Sequence, residues 1–104
     1  MTARKVASLD ELPRGKTLAV QGESEEVLLC HTAEGVFAVS NLCTHAEAKL
    51  CEGKLKGNKI LCPLHGAAFD VRDGSALTRP ASIPLKTYTV EVDGSDVLLS
   101  ETSG

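Results

Sequence analysis

Residues 41–70 read NLCTHAEAKLCEGKLKGNKILCPLHGAAFD. This stretch holds three of the chain's four cysteines and two of its three histidines. They fall in two boxes, Cys43-Thr44-His45 and Cys62-Pro63-Leu64-His65, the second followed by Gly66. Sixteen residues separate His45 from Cys62, and each box offers one thiolate and one imidazole. From Asn41 to Pro80 the apolar runs are only two or three residues long, too short to build a core unaided. A bound metal centre would supply the missing organisation.

The flanking segments read as strands separated by turns. Thr17 to Gln21, Val27 to Thr32, Val36 to Ser40, Thr87 to Val92 and Val97 to Ser100 are rich in β-formers. In Lys86 to Val92, Tyr88, Val90 and Val92 alternate with Thr87, Thr89 and Glu91, the period of a strand with one apolar face. Asp93-Gly94 closes a hairpin onto Val97 to Leu99, and Ala33-Glu34-Gly35 marks another. Gly57-Asn58 and Asp73-Gly74 predict tight turns inside the cysteine-bearing region. Helix is limited to one turn over Ser8 to Leu12, so the spacing predicts an all-β domain.

A chain of 104 residues makes one compact domain and leaves no room for a second cofactor domain. Its formal net charge of −3 argues against nucleic acid or anionic lipid as a partner, because both attract clustered Lys and Arg. Met1 to Gly15 carries Asp10 and Glu11 without a continuous apolar stretch, and apolar runs such as Val27 to Cys30 are far below bilayer length. A cytoplasmic location is therefore expected, where thiols stay reduced and four cysteines point to metal or redox chemistry. Cys30 reads as a small buried hydrophobe, His31 as its solvent-facing neighbour, and Cys51 as a spare thiol. Glu23, Glu25 and Glu26 read as a solvated loop, with a docking patch for a basic partner as the sharper alternative.

Two cysteines and two histidines suit either a tetrahedral zinc or a two-iron cluster. Zinc motifs usually pair like ligands, cysteines before histidines, whereas this chain runs Cys, His, Cys, His. In a two-iron cluster both cysteines take one iron and both histidines the other, so each loop touches both irons. Two neutral imidazoles in place of thiolates raise the reduction potential above that of all-cysteine ferredoxins.

Cys43-Thr44-His45 with Cys62-Pro63-Leu64-His65-Gly66 resembles the two cluster-binding boxes of the Rieske family, and Phe69-Asp70, the Asp73-Gly74 turn and the terminal hairpin extend the resemblance over most of the chain. It implies one [2Fe–2S] cluster on Cys43, His45, Cys62 and His65. It also implies a Rieske-like antiparallel β-sandwich base, residues 1–40 and 81–104, with a small cluster-binding subdomain at about 41–80. Members of this size are similar to the ferredoxin components of bacterial ring-hydroxylating dioxygenase systems in aromatic hydrocarbon catabolism. These carry electrons from a flavoprotein reductase to a terminal oxygenase through transient contacts and catalyse nothing themselves; a monomer is expected. A small electron-transfer subunit resembling that of nitrite reductase is the alternative within the same fold. A whole oxygenase would need a further two histidines and a carboxylate, and only His31 is left over.

Compared with the high-potential Rieske proteins of respiratory complexes, Leu64 stands where the second-box cysteine of a loop-tying disulfide would be, so that disulfide cannot form. Ala67 and Phe69 stand where those relatives place a serine and a tyrosine whose hydroxyls point at the cluster. Hydrogen bonds to the cluster strengthen on reduction, so their loss predicts a potential at the low end, roughly −150 mV to about zero. Ala46, Leu64 and Pro80 are the expected apolar contributors around the electron exit.

Overall fold

The computed structural model describes residues 3–22, 25–42, 49–50, 53–63, 67–77 and 84–100. Among them are nine strands, β1 (Arg4–Ser8), β2 (Thr17–Gln21), β3 (Glu26–Thr32), β4 (Gly35–Ser40), β5 (Lys54–Lys56), β6 (Lys59–Leu61), β7 (Ala68–Asp70), β8 (Thr87–Asp93) and β9 (Asp96–Ser100). A single 3-10 turn, Leu9–Glu11, is the helical element of the described residues. Ser8 Oγ accepts from the Asp10 N–H at 3.2 Å, and the Glu11 carboxylate accepts from the Ser8 N–H at 3.0 Å, which fixes that turn where the sequence predicts it.

All strand pairs are antiparallel, in two sheets ordered β1-β9-β8-β4-β3-β2 and β5-β6-β7. Strand β8 gives its first residues to β4, with Ala38 opposite Tyr88, and its remaining length to β9, with Val92 opposite Val97. The large sheet turns back on itself there. Val97 and Leu99 of β9 consequently pack against Val27 and Leu29 of β3 and Ala38 of β4, which is the sandwich interior.

Val27, Leu28, Leu29 and Cys30 are all fully buried, because β3 is covered on both faces. Val27 and Leu29 point into the sandwich, whereas Leu28 and Cys30 point the other way, onto Leu50, Ile60, Cys62, Ala67 and Phe69. An unbroken apolar run is what such a strand needs, and each buried Val or Leu contributes about 1.5–3 kcal/mol. The cysteine-bearing region thus has a core, which it shares with the base; the expectation that metal alone organises it is corrected here. At the opposite end, Arg72 spans Asp70 (2.7 Å) and Glu34 (3.2 Å), and Glu34 accepts from Asn58 Nδ2 at 2.8 Å, tying the β3–β4 turn to the small sheet.

Gly53 joins the two cysteine-bearing segments. A Cβ at this position would overlap the Leu61 carbonyl oxygen and crowd the Leu50 carbonyl at 3.3 Å. Only glycine lets the backbone after the first box lie directly on the strand that leads into Cys62. Gly53→Ala therefore displaces backbone rather than a flexible side chain, and is expected to cost about 1–3 kcal/mol, a fall in Tm of about 5 °C or more. Thermal unfolding checks this; an unchanged Tm means the two segments do not meet in this way.

Candidate metal centre

Cys62 follows the last residue of β6 and is 3% exposed, set among Leu50, Ile60, Ala67 and Phe69. Its N–H donates to the Ala67 carbonyl at 2.7 Å, directly beyond the Leu61–Ala68 pair, so the second box leaves and re-enters the sheet through one closed neck. The first box has a similar neck. Leu42 and Lys49 form an antiparallel bridge, and the Leu50 N–H donates to the Asn41 carbonyl at 2.7 Å. Leu50 and Cys62 share one apolar cluster, so both necks stand on the same floor. Cys43, His45 and His65 lie outside the described residues, as do Cys51, Glu23, Ala46, Leu64, Gly66 and Pro80.

Adjacent carboxylates brace the first neck. Glu25 accepts from Tyr88 Oη at 2.8 Å and Ser40 Oγ at 3.0 Å, with Lys86 Nζ at 3.7 Å, and Ser40 Oγ in turn accepts from the Leu42 N–H at 3.3 Å. Glu26 accepts from Lys49 Nζ at 3.1 Å and Asn41 Nδ2 at 3.4 Å, while its carbonyl takes the Asn41 N–H at 3.1 Å. The Tyr88 hydroxyl, helped by Ser40 and Lys86, holds the Glu25 carboxyl below its ordinary range; Lys49 and Asn41 do the same for Glu26. These two residues are thus not a plain solvated loop: they hold partners on β4, on β8 and at the neck. Sequence reading missed their role because it depends on the register that sets Val27 opposite Ser40.

The other predicted roles divide as follows. Burial pushes the Cys30 thiol up to about 12, so it stays protonated and serves as a core residue. His31 Nδ1 donates to the Leu12 carbonyl at 2.8 Å, and its backbone holds Gly15 and Lys16, which makes it a structural residue. Phe69 is fully buried beneath Cys62, and the Ala67 side chain lies in the same layer. Of apolar residues beside the boxes, Leu42 is 52% exposed next to Cys43, and Leu77, bonded to the Ala68 carbonyl, is 44% exposed. Both were missed by the sequence reading, since an isolated leucine in a loop carries no periodic signal.

The chemistry of these donors fits a metal cluster. Cys62 is a soft donor on an apolar floor that excludes water, and the boxes adjoining the two necks in sequence carry two cysteines and two histidines in all. The neck itself is testable through Glu25. Its folded pKa is depressed, so the stabilisation is complete above the ordinary carboxylate range and is lost as pH falls through the folded value. Tyr88→Phe should cost about 1 kcal/mol or less at neutral pH, given partial exposure of the carboxylate, and the difference from the parent should close in acid. Urea unfolding at both pH values checks the sign.

Residues 2–89 match the Rieske [2Fe-2S] domain. The chain is 39% identical over 93 residues to the ferredoxin component of the naphthalene 1,2-dioxygenase/salicylate 5-hydroxylase systems of a Ralstonia species, covering 89% of each. Its structure superposes on the ferredoxin of carbazole 1,9a-dioxygenase from Nocardioides aromaticivorans IC177 with a TM-score of 0.92 and 38% identity, over 98% of this chain and 100% of that one. A ferredoxin–oxygenase complex of carbazole 1,9a-dioxygenase gives 0.91 at 29% identity, over 98% and 95%. With residues 2–89 matching that domain and relatives of this identity over nearly the whole of both chains, the chain belongs to the Rieske [2Fe–2S] domain family.

Proposed function

We propose that Cys43, His45, Cys62 and His65 hold one [2Fe–2S] cluster. With it the chain carries single electrons from a flavin-dependent NAD(P)H reductase to the terminal oxygenase of a ring-hydroxylating dioxygenase system. The observation that carries this reading is the pairing of the two necks: Cys62 is pinned at the mouth of the second box, and Gly53 seats the segment after the first box against the strand leading to it. The Ralstonia and Nocardioides relatives are named as ferredoxins of dioxygenases, and the carbazole complex is of a ferredoxin with its oxygenase. The chain is an electron-transfer component, not an enzyme. One Rieske domain with residues 41–80 as its cluster-binding part, acting as a cytoplasmic monomer, completes the proposal.

A cluster with this ligand set takes up and releases one electron at a potential set by its charge and hydrogen bonds. The chain's own residues prepare for that. Leu50, Ile60 and Phe69 keep water from beneath Cys62, and its main-chain bond to Ala67 fixes the direction from which the thiolate approaches. Ala67 and Phe69 contribute apolar surface without hydroxyl donors, which favours a low potential within the class.

Iron-supplied, anaerobically purified protein should be red-brown and give, after dithionite, the anisotropic low-average-g resonance of a mixed Cys/His cluster. Its midpoint should fall between roughly −150 mV and about zero. Cys62→Ser should abolish the signal, and Ala67→Ser should raise the midpoint by tens of millivolts by adding a donor beside the ligand. A colourless protein with one zinc per chain rejects the proposal, and a midpoint above about +200 mV rejects the low-potential subclass. Failure to pass electrons to any dioxygenase component would favour the nitrite-reductase-like alternative.

A further inference from the structure

Among the described residues, two ion pairs stand at the first neck. Glu26 Oε1 receives both Lys49 Nζ at 3.1 Å and Asn41 Nδ2 at 3.4 Å, so one carboxylate oxygen holds a residue before the box and a residue after it. Asn41 is 2% exposed and its carbonyl takes the Leu50 N–H at 2.7 Å, so the grip acts on backbone that is already fixed. Glu25 reaches the neck through Ser40 Oγ at 3.0 Å and meets Lys86 Nζ at 3.7 Å. Lys86 is tethered as well: its carbonyl accepts from the Ser40 N–H at 2.8 Å, and its ammonium lies 5.4 Å from the centre of the Tyr88 ring. A further pair, Lys5 with Asp96 at 3.2 Å, stands at the other end of β8, where Asp93 faces Asp96, about 20 Å along the strand.

A carboxylate suits the bracing, because it accepts several hydrogen bonds at once. It does not suit the neighbourhood of a redox centre. The box that begins after Leu42 takes on one further negative charge when its cluster is reduced, and an uncompensated carboxylate nearby opposes that electron. Leu42 is one peptide link, about 3.8 Å, from Cys43, and it faces Lys49 across a bridge whose Cα atoms are about 5 Å apart. Charges rooted there act within the distance of roughly 8 Å over which physiological salt screens little. All four side chains of the two pairs are partly exposed, so the pairs add little to folding, and their placement calls for another reason.

We infer that Lys49 and Lys86 set the reduction potential: they cancel the field of the carboxylates that brace the first box, so that Glu25 and Glu26 hold it without opposing electron uptake. The inference rests on the cluster reading above and brings two residues outside the ligand set into electron transfer. It also separates the two roles of one ion pair. Removing either partner breaks the brace, but losing the lysine leaves a negative charge and losing the glutamate leaves a positive one. The midpoint therefore moves in opposite directions, for which a purely structural clasp gives no reason.

The test is a redox titration of the cluster-loaded chain at neutral pH and low salt, followed through its resonance spectrum. Lys49→Gln and Lys86→Gln should each lower the midpoint, making reduction about threefold less favourable, which is about 30 mV for a one-electron couple. Glu26→Gln should raise it by a similar amount. The double variant Glu26→Gln with Lys49→Gln, neutral at both places, should return to the parent's midpoint although the ion pair is gone, and Lys49→Arg should keep it. High salt should shrink the single-variant shifts, and Lys5→Gln and Asp96→Asn should produce none. Lysine variants with the parent's midpoint overturn the inference. A double variant displaced further than either single also overturns it and leaves the pair as a clasp alone. Where Lys49→Gln fails to retain a cluster, Lys86→Gln decides by the same sign. An iron-supplied parent without a [2Fe–2S] resonance overturns the cluster reading itself, and this inference with it.

Discussion

Strand β3 is covered on both faces, and the rest of the molecule is arranged by what each face receives. Val27 and Leu29 close the sandwich against Val97 and Leu99, while Leu28 and Cys30 supply the floor for Leu50, Ile60, Cys62 and Phe69. Neither sheet has enough apolar surface to stand without this strand, because the small sheet consists of three strands of three residues each. The base and the cysteine-bearing region are therefore mechanically continuous, and a change at Leu28 or Cys30 acts directly beneath Cys62.

The acidic pair at the start of β3 extends this control to the first box. Glu25 reaches Ser40 and, through it, the Leu42 amide, whereas Glu26 holds Asn41 and Lys49 on the two sides of the neck. Both carboxylates are partly exposed, so each contributes modestly; what they provide is geometry. Their positions follow from the β3–β4 register, which is in turn enforced by the apolar faces it matches, Leu28 with Val39 and Leu29 with Ala38.

Strands with clear alternation or turn chemistry were legible in the sequence. Thr17–Gln21 has the bounds that its composition predicts, and the Asp93-Gly94 hairpin pairs Asp93 with Asp96 as the turn requires. β1 was not legible, since Arg4, Lys5 and Ser8 give it no strand-like pattern and it owes its form to pairing with β9. β5, β6 and β7 are too short to show a period, although the Gly57-Asn58 turn between the first two was visible. At the site, the spacing of the two boxes made the family legible, because their order of cysteine and histidine is specific to it, and the match over residues 2–89 agrees. The braces at Glu25, Glu26 and Gly53 were not, because hydrogen bonds and close backbone approach arise only after distant segments meet.

The shared floor beneath the two boxes separates folding from cofactor loading. Leu50, Ile60, Phe69 and Val71 are buried by contacts with one another and with β3, and main-chain hydrogen bonds close both necks. The free energy that assembles the region thus comes largely from burial that needs no iron. Metal ligation therefore adds to a core that the region already shares with β3 rather than being the sole source of its order.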